Sequence, residues 1–432
     1  MTLAGFTLPE LSDYDPGVAG EGSLDPMGLA AISDRLADRL VPGLRSRMQR
    51  IRFVTAMAVG VMACETLADE LSVDGISTPA ICFEWLVIEA FARRLSPQEF
   101  PSGVPGSQKA RAVVTRKQRL SAGTYLKGPS VFGFNGVYKP FAVDARVVES
   151  ELEPGQRCAE LVREWEREQG FVGFTDAASG TDGGRLRTNI RDEVRAALRD
   201  GRCATNPKSW LFGHLAESLH PERARPAERR ALRSLITLSE HETRAELAAH
   251  LADIDADLYE YELLDFVRPS CSPALGSIID AVVAYERLAT FIDTAFRTLC
   301  AVSYSMGAQP LTPHYVEAHK TIVQCARDLP GRYRKATDKM AAIGFDNTLE
   351  ERLGEFAIPC SPVELVELLL DHHERVQALK PPYGKRSWFE PFRGGWVVRT
   401  PYGTAEQPEL GPRFVHTVRI AALRRFLEGT RT

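Results

Sequence analysis

The chain has 432 residues, of which 44% are hydrophobic and 25% charged, and its formal net charge is −4. These proportions are typical of a soluble globular protein, and the length predicts about two or three domains rather than one core. The slightly acidic balance excludes binding to a polyanion through overall charge. Any contact with nucleic acid therefore requires a local basic patch.

The first residues do not have the pattern of a signal peptide, because they lack a basic start and an apolar run and carry Glu10, Asp13 and Asp15. The longest uncharged apolar run that follows, residues 53–64, is too short to cross a bilayer. The eight cysteines are scattered without a Cys-x-x-Cys pair, which predicts free thiols rather than a zinc site. We therefore expect a cytoplasmic protein with no cofactor, no metal and no membrane contact.

The N-terminal part of the chain predicts an extended segment followed by helices. Residues 1–22 are rich in Gly, Pro and Asp and are expected to be extended. Asp25-Pro26 combines a helix N-cap with a proline suited to the first turn, so a helical domain is expected over 23–158. Within it the apolar spacing predicts helices over about 44–71, 79–95 and 108–120.

The segment 123–141 contains four glycines among aromatic residues and predicts a hairpin, and residues 143–148 predict a returning strand. A winged helix-turn-helix produces the same order of elements, namely helix, basic helix, glycine-rich ribbon, strand and helix. This pattern favours a winged-helix-like N-terminal region. An ordinary glycine-rich loop has the same composition.

The remainder of the chain predicts a second helical domain over 159–380 and a basic C-terminal segment over 381–432. Ser272-Pro273 opens a long apolar stripe, and Ser361-Pro362 has a glutamate at the spacing of a capping box. Aromatic residues and glycines around 388–398 predict a short hairpin before a final helix. The expected fold class is mainly α and multi-helical, with small β elements.

Charge is segregated in the middle of the first domain. From Phe100 to Val143 there is no Asp or Glu, yet seven cations alternate with aromatic residues that include Tyr125, Phe132 and Phe134. Cations attract phosphates and aromatic rings stack on bases, so this composition predicts nucleic-acid binding, although a solvated loop can look the same. The predicted phosphate-contacting residues are Lys109, Arg111, Arg116, Lys117, Arg119, Lys127 and Lys139, with Arg45 and Arg52 on the helix expected over 44–71.

Two other classes of function remain open. A metal-dependent nuclease or hydrolase could use an acidic cluster or adjacent histidines, but solvated helix faces show the same patterns. The candidates for the enzyme are Asp253, Asp255 and Asp257, or His372 and His373 with Asp371.

A protein–protein adaptor could anchor through aromatic residues of the C-terminal segment, which could equally form a local core. The candidates for the adaptor are Trp388, Phe389, Phe392 and Trp396.

Two groups of residues near the ends of the chain form recognisable motifs. They are Leu24-Asp25-Pro26, Gly28-Leu29, Ser33-Asp34, Leu36, Leu40-x-Pro42-Gly43-Leu44 and Arg50-x-Arg52-Phe53, and then Phe414-x-His416-x-x-Arg419. They resemble an uncharacterised bacterial family encoded in anti-phage defence and mobile gene islands, although the family more often has Arg-Tyr-aromatic where this chain has Phe53-Val54. The resemblance implies no activity, but it implies a bacterial cytoplasmic protein with other defence-system subunits as partners. Together with the basic tract it favours a non-catalytic subunit that binds nucleic acid, expected to be DNA, or acts as a scaffold.

Overall fold

The computed structural model describes residues 25–237, 240–254, 257–345, 347–380 and 385–432. These residues form eighteen α-helices, four short 3₁₀ segments and a two-stranded antiparallel sheet, so the predicted fold class, mainly α and multi-helical, is confirmed. The elements are α1 (Ala30–Leu40), α2 (Phe53–Cys64), α3 (Pro79–Arg94), α4 (Ser107–Thr115), α5 (Pro129–Phe132), α6 (Phe134–Asp144), α7 (Cys158–Gln169), α8 (Asp182–Asp200), α9 (Trp210–Ser218), α10 (Pro226–Thr237), α11 (Glu242–Leu251), α12 (Glu260–Val267), α13 (Pro273–Met306), α14 (Pro313–Val316), α15 (Lys320–Ala341), α16 (Thr348–Leu353), α17 (Pro362–Leu379), β1 (Phe389–Phe392), β2 (Gly395–Val398) and α18 (Ile420–Gly429).

The described residues divide into two compact units, each of which collects segments that are distant in sequence. The first unit contains residues 25–33 and 283–416, and the second contains residues 34–282 and 417–432. The domain boundaries expected near residues 158 and 380 follow a different division and stay predictions. The extended segment expected over 1–22 lies outside the described residues.

The core of the second unit is built around α2, all twelve residues of which are buried. Helices α3, α6, α7 and α8 pack against it, so none of its faces needs polar side chains. Gly60 lets α3 approach closely, because a Cβ at this position would lie 2.5 Å from the ring of Phe83. The uncharged run 53–64 is therefore the centre of a globular core.

The start of α2 differs from the prediction of a helix over 44–71. Residues 45–52 form turns, in which the Tyr138 hydroxyl accepts hydrogen bonds from the backbone N–H groups of Gln49 and Arg50 at 2.9 and 2.8 Å. The Tyr138 hydroxyl thus serves as the acceptor that backbone carbonyl groups would provide if these residues were helical. Regular helix begins only at Phe53.

The ribbon predicted over 123–141 is wrong, since α5 and α6 occupy most of this segment. The buried carboxylate of Glu84 on α3 accepts the backbone N–H of Asn135 at 2.9 Å and so caps the first turn of α6. Gly133 leaves room for this carboxylate, because a Cβ there would lie 2.0 Å from a Glu84 oxygen. The strand expected over 143–148 is not formed either, so the described residues contain no wing.

Two helices begin where the Ser-Pro pairs of the sequence predict. Helix α13 begins at Pro273, and α17 follows a complete capping box in which the Ser361 hydroxyl accepts from the Glu364 backbone N–H. The Asp25 carboxylate accepts from the backbone N–H groups of Leu29 and Ala30, although regular helix starts a few residues later than predicted. Side-chain caps thus set these helix ends.

The first unit holds α14 to α17, the hairpin and most of α13. The predicted hairpin near 388–398 is confirmed, and Phe296 of α13 packs against Trp388 and Phe389 with ring centroids 5.7 and 5.8 Å apart. These aromatic residues form a local core, so Trp388 and Phe389 are not exposed anchors for a partner. In the described part of the chain every helix is too short or too polar to cross a bilayer.

Candidate nucleic-acid interface

Helix α4 presents the predicted basic tract to solvent. Its two buried side chains are apolar, whereas Lys109 and Arg111 are exposed on the helix and Arg116 and Lys117 are exposed in the turn that follows. Lys117 adopts a left-handed backbone conformation with φ of 55°, which ends the helix there. The helix is therefore anchored by one face and cationic on the other.

These four cations and Lys127 have no carboxylate within salt-bridge distance among the described residues. Three arginines of α8 are paired, by contrast: Asp182 contacts Arg185, and Asp192 contacts Arg191 and Arg195. A group of exposed cations without such partners produces a local positive potential that attracts polyanions.

Two arginine–aromatic pairs border the basic tract. The guanidinium of Arg111 lies 4.3 Å from the ring centroid of Phe100, and that of Arg47 lies 4.8 Å from the ring centroid of Phe132. Phe132 stays 48% exposed, so part of this ring can stack on an unpaired base. Arg47 was not among the predicted site residues, although the acid-free stretch around it was a usable signal.

A groove with a volume of about 900 Å³ opens among α2, α3, α5 and α6. Its lining combines two cations, Lys127 and Lys139, with Ser130 and Asn135, and most of the other lining residues are apolar. Four acidic residues also line it, namely Glu65, Asp69, Glu151 and Glu153. Such a volume accommodates a ligand of nucleotide size. The groove thus brings together two predicted site residues, Lys127 and Lys139, that lie twelve positions apart in the sequence.

Asn135, which lines the groove, is held by the buried carboxylate of Glu84. One carboxylate oxygen accepts the backbone N–H and the side-chain Nδ2 of Asn135, and the other accepts the hydroxyl of Tyr125 at 2.6 Å. Burial raises the pKa of Glu84 to about 7, against the lowering effect of these hydrogen bonds. Tyr125 and Phe134 are themselves buried, so of the three aromatic residues predicted to stack on bases only Phe132 is exposed.

Arg52 is not part of the interface, and its predicted contact with phosphate is corrected. Its guanidinium is 2% exposed and forms two parallel bonds to Glu228, with Nε–Oε1 and Nη2–Oε2 distances of 2.8 and 2.7 Å. Nη2 and Nη1 also donate to the backbone carbonyls of Ser218 and His220, respectively. With these donors satisfied inside the core, Arg52 can offer nothing to a ligand.

Arg119 is corrected for the same reason, since it is largely buried. Its Nε lies 3.2 Å from the Glu89 carboxylate, and its Nη2 donates to the backbone carbonyl of Thr205. The half-buried Arg45 pairs with Asp38. Arg119 thus connects segments within the second unit instead of facing a ligand, whereas the phosphate contact of Arg45 stays a prediction.

The histidine pair proposed for a metal-dependent enzyme is fully engaged. The ring nitrogens of His372 contact a carboxylate and the backbone carbonyl of Met27, and those of His373 contact the carbonyl of Pro26 and the backbone N–H of Trp388. Burial lowers the pKa of His373 to about 4, which keeps this ring neutral. No nitrogen of the pair is left for a metal ion.

Of the acidic triplet predicted as an alternative metal site, Asp255 lies outside the described residues. A different set of metal-ligand types does converge. One donor atom each of Glu246, His250 and Cys271 lies within 4.8 Å of the other two. Spacing in the sequence did not reveal this set, because Cys271 lies far from the other two along the chain.

The motif residues that carry the family resemblance have structural partners. In the first unit the buried Glu286 carboxylate accepts from the Ser33 hydroxyl at 2.6 Å and lies 3.1 Å from Nδ1 of His416. In the second unit Arg419 contacts Asp34 at 2.8 Å. The N-terminal and C-terminal motifs therefore meet within each unit.

No protein-family model, curated protein or solved structure matches this chain.

Proposed function

We propose that this chain is a non-catalytic nucleic-acid-binding subunit of a bacterial defence complex, with DNA as the expected ligand. One observation supports the nucleic-acid part of this proposal. Five exposed cations of the second unit have no acidic partner among the described residues, namely Lys109, Arg111, Arg116, Lys117 and Lys127. The defence context and the partner subunits rest on the sequence resemblance alone.

The cations would bind through the phosphate backbone, since each neutralised phosphate releases condensed counterions. This term is independent of base sequence and weakens steeply with salt. The exposed ring of Phe132 beneath Arg47 would add stacking with an unpaired base.

The test is a triple variant in which Lys109, Arg116 and Lys117 are changed to Ala. The affinity for labelled oligonucleotides is measured by fluorescence anisotropy at several salt concentrations. Loss of three phosphate contacts should reduce the slope of log K against log salt by about 2.7 for a duplex or about 2.1 for a single strand. Arg119 is retained because its removal would disturb the fold.

The matched control changes Arg185, Arg191 and Arg195 of α8 to Ala. It removes the same formal charge, but from cations that have acidic partners. We expect this variant to keep both the affinity and the salt slope within about twofold. Equal behaviour of the two triple variants would refute the proposed interface.

The complex is tested by co-purification from the native gene cluster, with nucleic-acid content read from the ratio of absorbance at 260 and 280 nm. We expect products of neighbouring genes in the purified sample. Isolation of a nucleic-acid-free monomer would contradict the assignment to a complex.

A further inference from the structure

We propose that Glu246, His250 and Cys271 bind a zinc ion that fastens α11 to the start of α13. This site is independent of the basic surface of α4. It would give the second unit a metal-dependent link between two helices that are separated by about twenty residues of chain.

The three side chains are brought together by the helices that carry them. Glu246 and His250 are four residues apart on α11, so they project from the same face. Nε2 of His250 lies 3.7 Å from Oε1 of Glu246, and Cys271 lies two residues before the first residue of α13. One donor atom of each residue is within 4.8 Å of the others. In a tetrahedral zinc site the donor atoms are about 3.3–3.6 Å apart, so a small closure around the ion is sufficient.

The donor set selects the class of metal. A thiolate, an imidazole and a carboxylate are ligands that Zn²⁺ takes in combination, whereas Mg²⁺ and Ca²⁺ require oxygen ligands. Three protein ligands leave a fourth position for water. The side chains of Glu246 and His250 are 27% and 28% exposed, so solvent can reach that position.

The carboxylate is already oriented by a neighbouring residue. The backbone N–H and the hydroxyl of Ser272 donate to the two oxygens of Glu246 at 2.5 and 2.7 Å. Each carboxylate oxygen has a second lone pair, so Glu246 can cap α13 and hold a metal ion at once. Outer-shell hydrogen bonds of this kind fix the direction of ligands at zinc sites. On binding, the thiol proton of Cys271 would be released to solvent.

The first experiment measures metal binding by protein prepared without a histidine tag and freed of metal with a chelator. Titration with Zn²⁺ in a calorimeter should give about one ion per chain, and Co²⁺ should produce a thiolate-to-cobalt charge-transfer band. Cys271→Ser and His250→Gln should each weaken zinc binding by about 100-fold or more and abolish or shift that band. Cys360→Ser, which removes another half-buried thiol, should leave both readouts unchanged.

The second experiment needs no variant and therefore does not depend on the folding of a mutant. One equivalent of Zn²⁺ should slow alkylation of Cys271 by iodoacetamide, as read by peptide mass spectrometry, while Cys360 reacts at an unchanged rate. The proposal is overturned by absence of stoichiometric binding, by full binding in both ligand variants, or by equal alkylation of Cys271 with and without zinc.

Discussion

Replacement of Glu84 by Gln tests whether a buried carboxylate makes the stability of this protein depend on pH. Glu84 is fully buried and accepts hydrogen bonds from Tyr125 and Asn135. A glutamine can keep the bonds from Asn135 and donate to the Tyr125 oxygen, whose hydroxyl can turn toward the carbonyl of Pro105. The variant therefore resembles the protonated form of Glu84 at every pH.

The expected size follows from the shift in pKa. Burial raises the pKa of Glu84 from 4.5 to about 7, so the folded state holds this proton more tightly than the unfolded state. The resulting stabilisation is fully present below pH 4.5 and is lost as the pH rises through 7. A pKa difference of this size corresponds to about 3 kcal/mol. The glutamine variant has no such loss.

The assay is urea unfolding of both proteins between about pH 4.5 and 8, with tryptophan fluorescence as the signal. Trp85 is adjacent to Glu84 on α3 and reports on the same region. We expect the free energy of unfolding of Glu84→Gln, relative to the unsubstituted protein, to rise by about 3 kcal/mol over this range. Parallel curves, with a difference that changes by less than about 0.5 kcal/mol, would refute the reasoning.

Three further changes test other parts of the fold by the same unfolding measurement. Arg52→Ala should cost about 3–5 kcal/mol, because it leaves the Glu228 carboxylate buried without its partner; a cost below about 1 kcal/mol would show that water reaches the site. Ser361→Ala removes an N-cap and should lower stability by about 1 kcal/mol, and an unchanged midpoint would contradict the capping role. Gly60→Ala should lower the free energy of unfolding by about 1–3 kcal/mol, because the new Cβ would clash with the ring of Phe83. As a control, Gly213→Ala has open space around it and should be neutral or stabilising. Equal effects of the two substitutions would disprove tight packing at α2.

Helix positions that depend on local signals could be predicted from the sequence. The starts of α13 and α17 are set by Ser-Pro pairs and caps that lie within a few residues. The turns before α2 and the first turn of α6 could not be predicted, because their backbone N–H groups are satisfied by Tyr138 and Glu84. These acceptors are distant in sequence, and the glycine-rich composition of 123–141 favoured a ribbon instead.

The candidate site could be predicted in its charge but not in its exposure. The sequence located the acid-free stretch, and Lys109 lies on the surface as such a stretch requires. It could not separate this residue from Arg52 and Arg119, whose partners Glu228 and Glu89 come from other helices. Binding of phosphate by the exposed cations stays a prediction.

The second unit is built from two segments of the chain that the ribosome synthesises at different times. Residues 417–432 belong to this unit, and α18 packs against α10 and α11. Residues 283–416 of the first unit are synthesised in between. At common translation rates that interval lasts roughly 7–27 s. For this time the faces of α10 and α11 that α18 covers in the finished protein lack their native partner.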